Sequence, residues 1–206
     1  MSESLWDCKA DQLLQRVSST APTPGGGSVA AVTAALGLGL VQMAVGITLA
    51  GIEETTGTEH TRLTDAQRDA NNLQAQAVEA ADRDIAEFDA LMAGYRMPRG
   101  SDEERATRKL AIDDATVTAI EGPLSLAELS VAGITLANEV ESSVKPTIVS
   151  DVRAGRDLLR AAALAALRTA DINLEALEKS NHPDASALRE RRDAALKRAT
   201  SNEESA

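Results

Sequence analysis

A chain of 206 residues is long enough for one sizeable hydrophobic core and short for two independent domains, so a single domain over residues 1–206 is the expectation. Hydrophobic residues make up 43% and charged residues 26%, a globular composition, while aromatic residues stand at 1%, only Trp6, Phe88 and Tyr95. The formal charge of −11 comes with no compact Lys/Arg block, which argues against a nucleic-acid partner and against an anionic membrane surface.

The predominance of Ala, Leu, Glu, Asp and Arg over aromatic and β-branched residues argues against a sandwich or barrel and predicts an all-α fold. A helical bundle of about five long helices with short terminal helices is expected. Cys8 is the lone cysteine and cannot form an internal disulfide, and the first residues show no pattern of basic, apolar and cleavage regions. A reducing cytoplasm is therefore expected. His60 and His182 stand far apart and outside any metal-binding spacing, so neither a metal nor another required cofactor is expected.

In chain order, residues 5–17 form an amphipathic pattern that stops at Ser18-Ser19-Thr20-Ala21-Pro22-Thr23-Pro24, followed by Gly25-Gly26-Gly27. Residues 28–52 contain no charged side chain. That length could span a bilayer, but Gly37, Gly39, Gly46 and Gly51 lower its hydrophobicity, no basic cluster flanks it, and Glu53-Glu54 follow directly. A buried central helix with small residues for close packing is the better reading. A helix apolar all round in so short a chain calls for a second subunit to cover it, so a homodimer is expected.

Residues 61–96 predict one long helix with Ile85, Phe88, Leu91, Met92 and Tyr95 on a stripe and Asp84 at the stripe's edge. Ser101 and Glu104 form a capping-box pair that starts a helix running toward Ser142, kinked or broken near Gly122-Pro123. Ser150 or Asp151 is expected to cap the next helix, whose buried face includes Leu158, Leu159, Ala162, Leu167, Ile172 and Leu177. After a turn at Asn181-His182-Pro183-Asp184, a charged peripheral helix covers about 185–198, and residues 201–206 should fray.

Two features carry chemistry. Pro24-Gly25-Gly26-Gly27-Ser28 leads into a helix whose first N–H groups favour a carboxylate or phosphate, with Ser28 as a helix cap in the purely structural alternative. No Gly-Lys-Ser/Thr follows, so this is not a nucleotide-binding P-loop, and Ser28 lacks the surroundings of a nucleophile. Asp84, beside Phe88, is a carboxylate that apolar neighbours could tune for proton transfer. A solvated surface position is its alternative.

The segment Pro22-Thr23-Pro24-Gly25-Gly26-Gly27-Ser28-Val29-Ala30-Ala31, followed by an Ala-rich helix with Met43 and Thr48, resembles the signature of the formiminotetrahydrofolate cyclodeaminase and methenyltetrahydrofolate cyclohydrolase family. Further matches follow in order: Asp84-Ile85-Ala86-Glu87-Phe88, Arg96-Met97-Pro98-Arg99, Asp102-Glu103-Glu104-Arg105, Pro123-Leu124, Ser150-Asp151 and Asn173. The resemblance covers about residues 13–177. It implies an all-α homodimer that acts on the one-carbon bridge between two nitrogens of a tetrahydrofolate derivative.

It also implies a site in which Pro24, Gly25, Gly26, Gly27, Ser28, Arg99 and Asn173 bind a small-molecule substrate while Asp84 and Asp151 are catalytic. Asp151 has an equally good structural reading as a helix cap. The chain departs from the family pattern at Gly46-Ile47-Thr48, at Glu53-Glu54 where lysines commonly follow, at Val144-Lys145 and at Thr169. Acidic residues in place of lysines predict weak use of a polyglutamylated folate tail. A divergent enzyme acting on a non-folate imine or amine, and a non-catalytic binding module, are the competing functional readings.

Overall fold

The computed structural model describes residues 4–52 and 57–201; Glu53 and Glu54, and the expected frayed end beyond Ser201, lie outside the described residues. Among the described residues the fold is all-helical: a 3₁₀ turn at Leu5–Asp7, α1 (Ala10–Val17), α2 (Gly26–Leu49), α3 (Thr58–Arg96), α4 (Asp102–Glu141), a 3₁₀ turn at Pro146–Ile148, α5 (Val149–Lys179) and α6 (Ala185–Thr200). The four long helices form an up-down-up-down bundle. Each packs on its chain neighbours and α5 closes the ring against α2, while α2 and α4 face each other diagonally with little contact.

Helix ends follow the side-chain chemistry in some places and depart from it in others. Ser101 Oγ accepts from Glu104 N at 3.1 Å and the Glu104 carboxylate reaches back to Ser101 N, so the capping box forms as expected. The expected cap at Ser150 or Asp151 does not form. A 3₁₀ turn begun by Pro146 feeds directly into α5, Ile148 is its N-cap, and both residues sit inside the first turn. Ser28 is likewise not a cap, because α2 starts two residues earlier with Gly25 at the N-cap. The first amphipathic segment is divided at Cys8-Lys9 into a 3₁₀ turn and a two-turn helix. Pro123 lies within α4, which continues past it without a break.

Two glycines explain how α2 and α5 pack. A Cβ on Gly37 would lie 2.8 Å from the Gly155 carbonyl oxygen, and one on Gly155 would lie 2.6 Å from the Gly37 carbonyl oxygen. The two backbones are in direct contact, as the small residues of the uncharged segment predict. In the core between the helices Leu38, Leu124, Ile134, Leu159 and Leu167 are fully enclosed. Both α2 and α4 are long and apolar enough to cross a membrane by length and composition, yet half or more of each apolar stretch is buried within the bundle.

One side of α2 is left uncovered. Val29, Leu36, Met43 and Ile47 are 37%, 59%, 43% and 43% exposed, with Thr33 and Leu40 half-buried between them. On the opposite flank, α6 is strapped down by Arg191 to Glu128 of α4 and by Arg192 to Asp171 of α5, each through two hydrogen bonds.

Candidate functional site

The start of α2 meets the second half of α3, the middle of α4 and the last turns of α5 around a cavity of about 350 Å³. Its walls are Pro22, Thr23 and Gly25 to Gly27 from the glycine turn, Asp84, Glu87, Phe88, Leu91, Met92 and Tyr95 from α3, Ala119 from α4, and Thr169, Ile172 and Asn173 from α5. The positions on α3 recur every three or four residues because a single helix face lines the cavity.

Asp84 holds the glycine turn in place. Its Oδ2 accepts from the backbone N–H of Ser28 at 2.8 Å and from the Ser28 hydroxyl at 2.7 Å. The carboxylate thus supplies from another helix the cap that α2 lacks in its own sequence. Gly27 is required for this approach, since a Cβ there would stand 2.0 Å from Asp84 Oδ1.

One turn further along α3, Glu87 enters the same cavity with a side chain only 12% exposed. Burial is the main cause that pushes its carboxyl up to about 7; Arg83, 3.6 Å away, opposes this, and the charges of Asp84 and Glu121 add to it. Gly122 of α4 makes the space: a Cβ there would lie 2.1 Å from Glu87 Oε2. Between these groups is a recess of about 10 Å³ lined by Gly27, Ala80, Arg83, Asp84, Glu87, Gly122, Pro123 and Leu126, room for one water-sized molecule.

The sequence-derived residues therefore divide. Gly25, Gly26, Gly27, Asp84 and Asn173 meet at the cavity. Ser28 is fully buried just behind it, and Pro24 faces an apolar groove formed with Leu5, Leu13 and Val29. Arg99 is exposed in the α3–α4 connection and does not line the cavity. Asp151 lies 22 residues before Asn173 on α5, about 33 Å along the helix axis, at the other end of the bundle. Thr23, Glu87, Tyr95 and Thr169 are the polar wall residues absent from the sequence-derived set. The usable signal for Glu87 is its spacing of three from Asp84, which puts both carboxylates on one face. Among the described residues no group of three or more His, Cys, Asp or Glu is placed to hold a metal ion.

A sequence model described as formiminotransferase-cyclodeaminase matches residues 9–194. The chain belongs to this family. A methenyltetrahydrofolate cyclohydrolase of Methylorubrum extorquens is 33% identical over 164 residues, 80% of this chain and 76% of the relative. The formimidoyltransferase-cyclodeaminase of Rattus norvegicus is 29% identical over 91% of this chain, which spans only 36% of that longer protein. The crystal structure of formiminotetrahydrofolate cyclodeaminase from Thermotoga maritima superposes with a TM-score of 0.71 over 96% of both chains at 17% identity, which establishes a shared fold. These relatives are enzymes acting on C–N bonds, and the chain is an enzyme of this cyclodeaminase/cyclohydrolase type. The non-catalytic reading falls with that assignment.

Proposed function

We propose that this enzyme makes or breaks the C–N bonds of the one-carbon bridge of a tetrahydrofolate derivative, with Glu87 moving the protons. The observation that carries this reading is a buried carboxyl poised near neutrality on the wall of a cavity of ligand size. Family membership supplies the folate one-carbon class.

In hydrolysis, water adds to the cationic amidinium carbon of a methenyl bridge as the Glu87 carboxylate takes a proton from it. The resulting acid returns the proton to one nitrogen of the tetrahedral intermediate, the C–N bond breaks as the hydroxyl proton is released to solvent, and a formyl group remains on the other nitrogen. In deamination, a folate N–H nitrogen attacks the carbon of a neutral formimino group and its proton passes to the formimino nitrogen; Glu87 gives that nitrogen a second proton, the C–N bond breaks, and ammonia leaves a closed, cationic methenyl bridge. Water and ammonia are of similar size, and the recess beside Asp84 and Glu87 suits either. Asp84, on the wall of the same cavity, would offer its charge to the amidinium cation of the methenyl bridge. This chemistry calls for no separate cofactor.

Hydrolysis is the favoured reaction, because the cyclohydrolase relative, at 33% identity over 164 residues, is more similar in sequence than the rat cyclodeaminase at 29% or the Thermotoga maritima cyclodeaminase at 17%. The test follows absorbance with 5,10-methenyltetrahydrofolate and 5-formiminotetrahydrofolate at matched concentrations. Turnover of the methenyl compound supports the reading, and inertness toward both would leave the non-folate imine or amine alternative.

The exposed side of α2 supports a homodimer as the working form. Val29, Thr33, Leu36, Leu40, Met43 and Ile47 alternate in steps of four and three, the spacing of a seam between two helices. Burying these residues against a second copy would remove the largest apolar exposure of α2. Sedimentation should give a dimer at micromolar concentration and a folded monomer for Leu36→Glu; a monomeric wild type would refute the assignment.

A further inference from the structure

Proline in a helix interior has no N–H to give to the carbonyl four residues back. For Pro123 of α4 that carbonyl belongs to Ala119, and it is not left unpaired: Asn173 Nδ2 of α5 donates to Ala119 O at 3.2 Å. Ala119 and Asn173 both line the cavity that holds Asp84 and Glu87.

An asparagine amide has a donor end and an acceptor end of nearly the same shape, and its hydrogen bonds decide which way it points. A carbonyl can only accept, so the Ala119 oxygen takes the nitrogen. Oδ1 is thereby the free end, and no protein donor reaches it among the described residues. We propose that Pro123 is a positioning residue: by releasing the Ala119 carbonyl it locks the Asn173 amide, so that Oδ1 is presented as a hydrogen-bond acceptor to an N–H of the bound substrate.

The lock stands on geometry alone, while its use on a tetrahydropterin N–H rests on the functional reading above. Together with the carboxylates of Asp84 and Glu87, Asn173 Oδ1 makes the side-chain wall rich in acceptors, which favours a donor-bearing ligand and disfavours an anion. The Gly122-Pro123 pair then serves two neighbours, Gly122 giving room to Glu87 and Pro123 orienting Asn173. An interior proline ordinarily destabilises a helix, so its presence beside the cavity has a stability penalty that a purely structural role would not explain.

The test uses the full chain and two readouts. In ¹⁵N-labelled protein the Asn173 side-chain NH₂ signal, assigned by its loss in N173A, should exchange slowly in the wild type and at a solvent-exposed rate in P123A. In P123A the restored backbone N–H claims the Ala119 carbonyl, so Tm should rise; P123S serves if P123A is not obtained folded. With 5,10-methenyltetrahydrofolate, P123A and N173A should each raise KM about three- to tenfold, the loss of one oriented neutral hydrogen bond, with kcat changed less. The double variant should be no worse than N173A alone. Equal protection of the amide in P123A, or a P123A effect that persists undiminished in the N173A background, would overturn the inference. If the wild type does not turn over the folate, the functional reading fails by itself and the exchange readout still decides the lock.

Discussion

Replacing Glu87 with Gln changes one proton-binding group and almost no volume. The carboxyl is raised from 4.5 to about 7, chiefly by burial, and each pKa unit corresponds to about 1.4 kcal/mol. The difference between the two protonation states is thus at most about 3 kcal/mol, only lightly screened because the side chain is 12% exposed. The folded chain holds this proton more tightly than the unfolded chain. Its contribution to stability is therefore present in full below pH 4.5, declines as pH rises toward about 7, and is absent above that. Glu87→Gln should match the wild type near pH 4.5 and exceed it by up to about 3 kcal/mol above pH 8, measured by urea unfolding at several pH values. Removal of the acid/base group should lower kcat by about 10²–10⁴ and abolish a pH–rate limb near neutrality. A folded variant with wild-type turnover and the same limb, or a stability difference that does not vary with pH, would refute the assignment of Glu87.

Asp84→Asn keeps an oxygen for the two Ser28 donors, so the chain should stay folded while the charge beside the substrate cation is lost; kcat/KM for the methenyl compound should fall about 10- to 100-fold. Because the Asp84 charge raises the Glu87 carboxyl, the same variant should shift the pH–rate limb to lower pH, which a pH profile will read directly. Gly155→Ala drives a methyl group to within 2.6 Å of the Gly37 carbonyl oxygen. Overpacking of about 1–3 kcal/mol should outweigh the helix-propensity gain of at most about 1 kcal/mol, and calorimetry should show a lower Tm.

The architecture is legible in the sequence where chemistry stops a helix. The proline and glycine turn before α2, Pro98 with Gly100 before α4, and the Ser101/Glu104 box are local signals, and they predict the ends of the long helices to within a few residues. Where two local signals compete, the reading goes astray. Ser28 and Asp151 are both good caps by residue type, but a cap exists only where the backbone leaves the helix. At Ser28 the glycines have already entered it, and at Asp151 the Pro146 turn has already nucleated it. The even spread of apolar residues along α2 also conceals which side is left open, because periodicity shows little in a segment with almost no polar residue.

The site is less legible for a different reason: its decisive contacts join residues far apart in the chain. Asp84 reads as a carboxylate beside an apolar stripe, and that places it at the cavity, but its bonds to Ser28 span 56 residues and give it a capping duty that no local pattern carries. Glu87 stands in the same motif and is set apart from a surface glutamate by its burial, for which Gly122 leaves room: its missing side chain lets α4 close over the carboxyl. A single-helix reading sees two acids three residues apart, which on a solvated helix would titrate much alike. The bundle gives one of them two hydrogen-bond donors and the other a largely dry wall. Two carboxylates thereby acquire different surroundings on the same helix face, and that difference, built by residues from α2 and α4, is the ground for proposing that one holds a cation and the other moves a proton beside it.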